Sequence, residues 1–182
     1  MSAGSCISLN DKERENFILA LREIRVQGDP VLQKECKPVK EMTERIRELI
    51  TDMFETMYEN NGCGLAAPQV GVLRQITVID VDDGNQYVLI NPEIIERSGS
   101  QTGEEGCLSV PGMAGIVTRA MHVKVRALDE NMEPYELEAE DLLARCIQHE
   151  CDHLHGHLYT EKVEGELHSV GAEEEPPIED EE

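Results

Sequence analysis

The sequence predicts an α+β fold: antiparallel β-sheets packed around a central helix near the C-terminus, with an earlier amphipathic helix. Three observations carry that expectation. Residues 41–59 place apolar side chains at the 3.6-residue helical period. Between residues 76 and 139 the period falls to two, in short runs separated by turn residues. Residues 140–154 then return to a helical pattern. Strands that follow one another directly, without an intervening helix, point away from βαβ units.

Taken in order, residues 11–24 read as an amphipathic helix with Phe17, Ile18, Leu21 and Ile24 on one face, capped by Asn10 or Asp11. Gly28-Asp29-Pro30 breaks the chain, and Pro38 ends a polar connector. In residues 41–59, Met42, Ile46, Leu49, Ile50, Met53 and Met57 share a face, and Asn60-Asn61-Gly62 is a stop signal. Residues 76–81 and 87–91 flank a hairpin turn at 82–86. Residues 115–119 read as another strand. In 123–127, apolar and charged residues alternate as in a strand with one wet face. A turn at 131–134 precedes the alternating Tyr135, Leu137 and Ala139. The last helix, 140–154, carries Leu142, Leu143, Cys146 and Ile147.

A chain of 182 residues suffices for one well-buried core, and one domain is expected. The net charge of −22 argues against DNA or RNA and against anionic membrane surfaces as partners. No apolar run approaches the roughly 20 residues of a membrane span. The first residues lack the basic and apolar segments of a secretory signal, so a cytoplasmic setting is expected. There the six cysteines, Cys6, Cys36, Cys63, Cys107, Cys146 and Cys151, stay reduced. The last 22 residues carry ten acids and one lysine. From residue 171 onward they have almost nothing to bury, and disorder is expected.

The chemistry concentrates in Cys146-Ile147-Gln148-His149-Glu150-Cys151-Asp152-His153-Leu154, which contains His-Glu-x-x-His. Residues four apart on a helix share a face, about 6 Å apart along the axis. His149 and His153 therefore present two imidazoles to one point, as a divalent metal requires. Glu150, about 100° round the helix, reaches a water beside the ion without ligating it. Such a pattern also arises by chance on an acidic surface helix, and two imidazoles alone make a poor site.

A third ligand must come from elsewhere. The longer His-Glu-x-x-His-x-x-Gly-x-x-His pattern holds through Gly156 and fails at Tyr159. His155 and His157 lie where Gly156 ends the helix, and a downstream Glu is offered only by the acidic tail. Cys146 and His153 are about 10.5 Å apart along the axis, too far for one tetrahedral ion. Cys151 faces away from both histidines. Cys107 remains, in Glu104-Glu105-Gly106-Cys107-Leu108-Ser109-Val110-Pro111-Gly112, a shaped loop or strand end; taken alone it reads better as a buried free thiol. A third segment, 62–71, holds three glycines and two alanines, a composition for close backbone approach.

Together the three segments resemble the peptide deformylases. That family's motifs G-x-G-L-A-A-x-Q, E-G-C-L-S and H-E-x-D-H stand here, in order, at 62–69, 105–109 and 149–153. The resemblance covers about residues 24–163. It implies a catalytic domain there, an N-terminal helical extension over 1–23 and an acidic tail over 164–182. It further implies a cytoplasmic hydrolase, expected to be monomeric, that removes the formyl group from N-formylmethionine of nascent chains at the ribosome and releases formate. On the matching positions, Cys107, His149 and His153 are the metal ligands and Glu150 is the acid/base. Gln69 and the backbone N–H of Leu108 hold the oxyanion. The implied ion is Fe²⁺, with Ni²⁺, Co²⁺ or Zn²⁺ as substitutes.

Several residues extend this reading. Cys63, Leu142 and Cys146 are candidate walls for the methionine side chain. Gly64, Ala66 and Ala67 bring backbone close to the reacting carbonyl, where formyl carries only hydrogen. Asp152 is a candidate support for a ligand histidine. Cys63 stands where the family usually has Ile or Val and adds an oxidisable thiol. Ala114 stands where many members have Arg. Two alternatives remain: a zinc endopeptidase, disfavoured by Tyr159, and a catalytically silent relative that only binds nascent chains.

Overall fold

Helix α1 (Glu44–Glu59) begins where the Thr43 hydroxyl accepts the Ile46 N–H at 3.3 Å, satisfying one of the unpaired donors of the first turn. The computed structural model describes residues 21–170. Leu49, Ile50, Met53 and Met57 form the buried face of α1. Met53 and Met57 are wholly excluded from solvent, and each such burial stabilises the fold by about 1.5–3 kcal/mol. The helix stops where Asn61 adopts a positive φ of 55° and the Gly62 N–H turns back to the Met57 carbonyl.

Eight strands follow: β1 (Gly64–Ala66), β2 (Ile76–Ile79), β3 (Tyr87–Ser98), β4 (Gln101–Cys107), β5 (Val110–Arg119), β6 (His122–Leu128), β7 (Pro134–Glu140) and β8 (His168–Ser169). They make an antiparallel five-stranded sheet, β1-β2-β3-β6-β7, and a three-stranded one, β4-β5-β8. Helix α2 (Asp141–Leu154) follows β7 directly.

The alternation of strand side chains divides the core in two. Ile76 and Val78 of β2 and Ile90 of β3 pack with the buried face of α1. Their neighbours Ile79 and Leu89 pack instead with Ala144, Cys146 and Ile147 of α2. The large sheet thus separates the helices, and α2 is held between it and the smaller sheet. Gly156 ends α2 at φ +78°, where an added Cβ would lie 2.7 Å from the Gln33 backbone; only glycine fits.

The α+β expectation matches this architecture, and several element limits differ. Of the helix expected over 11–24, residues 11–20 lie outside the described residues and residues 21–24 are not helical. That stretch instead leads to a backbone clamp: Arg25 N–H donates to the Gln69 carbonyl and Gln27 N–H to the Ser109 carbonyl, each at 2.7 Å. Strand β3 runs seven residues past Asn91. Pro92 is tolerated because pairing with β6 shifts register there. The Asn91 side chain, at φ 52°, bonds both backbone groups of Val39. The polar, glycine-bearing sequence of β4 gives no strand signal, yet the strand pairs along its whole length with β5. Residues 168 and 169, expected in the tail, pair with Ala114 and Met113 of β5. The tail from 171 lies outside the described residues.

Candidate active site

Three elements converge at one end of α2. Strand β4 ends on Cys107, α2 supplies His149, Glu150 and His153, and a 3-10 turn (Ala67–Val70) after β1 supplies Gln69. The ligand atoms of Cys107, His149 and His153 all lie within 4.8 Å of one another. Cys107 Sγ is 3.3 Å from His153 Nε2, close to the roughly 3.5 Å separating S and N donors on one tetrahedral ion. His149 is 9 % and His153 1 % exposed.

The donor chemistry fits a cation. Burial, followed by the influence of Glu150, pushes the Cys107 thiol up to about 12; a bound cation reverses that preference and favours the thiolate. Burial also holds the His153 pKa well below its usual value, so the imidazole is neutral with a free lone pair. Burial raises Glu150 well above the ordinary carboxyl range, with the nearby Cys63 sulfur adding to the effect. Among the described residues, Glu150 Oε2 and His153 Nδ1 are buried without a hydrogen-bond partner. For Glu150, an unpaired oxygen beside the three donors suits a group that exchanges protons there.

His149 is oriented by Glu105 of β4. Glu105 Oε2 sits 3.0 Å from His149 Nδ1, which leaves Nε2 directed at the other donors. Burial pulls the Glu105 carboxyl upward, but Arg119 and His149 outweigh it and hold the group well below the usual carboxylate range. Arg119 grips both Glu105 oxygens, at 2.8 and 2.9 Å, and Arg145 adds a bond of 2.7 Å. Asp152, a candidate support for a histidine, accepts from Arg119 at 2.6 Å and from Lys162. It lies about 60° round α2 from His149 and reaches that histidine through Arg119 and Glu105. Glu105 stood in a quoted motif without a role; Arg119 and Arg145 gave no sequence signal, being lone basic residues in a strand and a helix.

Gln69 is 1 % exposed. Its Oε1 accepts the Ala66 N–H at 2.8 Å, and its Nε2 donates to Ser109 Oγ at 3.1 Å and approaches Cys107 Sγ at 3.5 Å. The amide is therefore fixed with its donor end toward Cys107 and Ser109. Among the described residues the Leu108 N–H makes no hydrogen bond to a protein acceptor. Tyr159, weighed as a ligand position, turns its hydroxyl to the Met113 carbonyl at 3.0 Å and stacks its ring on His149. His155 and His157 are exposed and face Glu35 and Glu161. Cys151 packs into the core on the opposite side of α2.

A cleft of about 530 Å³ opens onto these groups, walled by Cys63, Gly64, Leu108, Leu142, Cys146 and Glu150. The structure thus brings all the expected wall residues to one cleft, with Leu142 half exposed at its rim. Gly64 is the close-approach position: an added Cβ would collide with the Glu150 carboxylate and lie 2.7 Å from Cys146 Sγ. Ala66 and Ala67, expected beside it, are wholly buried behind the wall and do not line the cleft. Ala114 is buried under β8, also off the cleft.

A thiol, two imidazoles and an adjoining buried carboxyl at the foot of an open cleft are a set of groups suited to a metal-dependent hydrolase. Comparison with known proteins narrows the class. The family model for polypeptide deformylase matches residues 21–168. The peptide deformylase of Agathobacter rectalis is 65 % identical over 156 residues, covering 86 % of this chain and 98 % of that one. The crystal structure of a peptide deformylase from Legionella pneumophila superposes with a TM-score of 0.77 at 47 % identity, covering 80 % of this chain and 87 % of that one. The one from Thermotoga maritima gives 0.78 at 42 % identity, covering 80 % and 99 %. The chain belongs to the polypeptide deformylase family and is an enzyme, a hydrolase that removes the formyl group from nascent polypeptides. Among the described residues no helix is long and apolar enough to cross a membrane.

Proposed function

We propose that Cys107, His149 and His153 hold one divalent ion, Fe²⁺ in the cell, and that the chain uses it to hydrolyse N-formylmethionyl peptides to formate and a free amine. The convergence of those three donors within 4.8 Å, with Glu150 alongside, carries the reading. The bound ion supplies Lewis acidity that makes water a competent nucleophile near neutral pH.

The remaining steps fall to the chain's own groups. Glu150 accepts a proton from the attacking water and delivers it to the departing amine. Its apolar surroundings, which favour the protonated carboxyl, favour the first transfer and keep the proton in place for the second. The Gln69 amide and the Leu108 N–H are preset donors for the negative oxygen of the tetrahedral intermediate, and they need no reorganisation as charge develops. The methionine side chain lies against Cys63, Leu142 and Cys146. Gly64 closes the wall beside Glu150, leaving room for the hydrogen of a formyl group and not for the methyl of an acetyl group. All these groups come from one chain, so a monomer suffices. The substrate is made on ribosomes, which places the reaction in the cytoplasm on emerging chains.

Formate release from formyl-Met-Ala tests the reading. The metal-loaded protein should release formate, fail on acetyl-Met-Ala, and leave an internal peptide bond intact. Glu150→Ala should abolish turnover. Comparable rates on the acetyl peptide would overturn the wall assignment; no formate release from anaerobically prepared protein would overturn the reaction.

A further inference from the structure

Cys63 and Cys146 come from chain segments 83 residues apart, yet their sulfurs lie 3.8 Å from each other. Cys146 Sγ also lies 3.5 Å from the Cys63 carbonyl oxygen, so the two side chains share one corner of the cleft. Cys63 is the one exposed cysteine among the described residues, and Cys146 is buried behind it. Cys146 borders the catalytic carboxyl, since a Cβ on Gly64 would strike both. Neither thiol takes part in the proposed reaction except as wall.

We propose that Cys63 and Cys146 form a dithiol modification site that closes to a disulfide on reaction with a low-molecular-weight disulfide, and that closure lowers turnover. The sulfurs need approach by less than 2 Å to reach the bonding distance of about 2.05 Å. Cys63 is the attacking group. The hydrogen bond from Cys146 lowers its pKa to about 7, against the opposing effect of burial, so its thiolate is present at neutral pH.

The step balances in two exchanges. The Cys63 thiolate attacks one sulfur of oxidised glutathione, forming a mixed disulfide and expelling one glutathione thiolate. Cys146 then attacks the Cys63 sulfur, expelling the second. The two thiol protons pass to the two glutathione thiolates; the protein dithiol is oxidised and one glutathione disulfide is reduced. The product ties the loop before β1 to α2 beside Glu150. A displacement there of even part of an ångström costs a large factor in rate, and about tenfold is expected.

The metal-loaded full chain is incubated with oxidised glutathione, alkylated and peptide-mapped. The expected result is a Cys63–Cys146 linked peptide pair, with formate release down about tenfold and restored by dithiothreitol. Cys146→Ser should trap the glutathione adduct on Cys63, Cys63→Ser should form neither product, and Cys151→Ser should link as the unmodified chain does. A stable adduct on Cys63 of the unmodified chain, a link through Cys107, or no link at all would overturn the site. A linked protein turning over at the full rate would overturn the control of turnover. The activity arm rests on the proposed reaction. Should the reduced protein release no formate, that reading fails while the peptide map still decides the dithiol.

Discussion

Gly64→Ala isolates one contact on which the reaction geometry depends. An alanine Cβ there would lie 2.9 Å from Glu150 Cδ and 2.7 Å from Cys146 Sγ, and closer still to the Glu150 carboxylate oxygen. Carbon atoms settle near 3.5–4.0 Å, so the Cδ contact alone is short by at least about 0.6 Å. Glu150 is 3 % and Cys146 4 % exposed, and both are fixed on α2, so neither has open space to enter. Overpacking of this kind costs about 1–3 kcal/mol. At roughly 2–4 °C per kcal/mol for a chain of this size, the melting temperature should fall by about 2–12 °C. The chemistry should suffer more. A carboxyl displaced toward 1 Å loses on the order of 100-fold in rate. Thermal denaturation and formate release on the metal-loaded variant measure both. Gly106→Ala is the comparison for stability, since its Cβ meets only the Met113 carbonyl oxygen at 3.6 Å; a change within about 0.5 kcal/mol is expected. A Gly64→Ala protein with unaltered melting and unaltered rate would refute the packing of Gly64 against Glu150.

Other consequences follow from the same geometry. Arg119→Met removes two bonds to Glu105 and one to Asp152; metal affinity, read by competitive chelation, should fall about 10–100-fold, and Arg119→Lys should not restore it because one ammonium cannot grip both Glu105 oxygens. Alkylation of Cys63 should be half-maximal near pH 7, since the hydrogen bond from Cys146 lowers its pKa and the reactive thiolate prevails above that value; in Cys146→Ala the midpoint should rise toward the ordinary value of about 8.5. Chelation should lower the melting temperature, because a ligand that binds only the folded state at a hundredfold excess over its Kd adds about 2.7 kcal/mol; an unchanged melting curve would count against a folded-state metal site.

The candidate ligands stood out in the sequence because metal-binding chemistry restricts their spacing. His149 and His153 need one helix face, and Cys107 and Gln69 fall in motifs whose order identifies them. Helix α1 was legible for a different reason: its apolar period is long, and its stop at Asn60-Asn61-Gly62 is unambiguous. Strand β4 was not, because Gln101 to Cys107 lack the alternating apolar residues that mark strands; its pairing with β5 and its ion pairs hold it instead. Arg119 and Arg145 were invisible for a similar reason. Each matters through a partner distant in sequence, and no local pattern reveals that Arg119 meets both Glu105 and Asp152. Asp152 shows the limit of local reading: its place on the helix of the candidate ligands suggested support of a histidine, and only the fold shows that this runs through Arg119 and Glu105.

X-ray absorption at the metal edge of anaerobically purified protein tests the site most directly. One sulfur near 2.3 Å and two imidazole nitrogens near 2.0–2.1 Å are expected about a single ion, with the sulfur shell lost in Cys107→Ser. A shell without sulfur, or one that keeps its sulfur when Cys107 is replaced, would contradict the assignment.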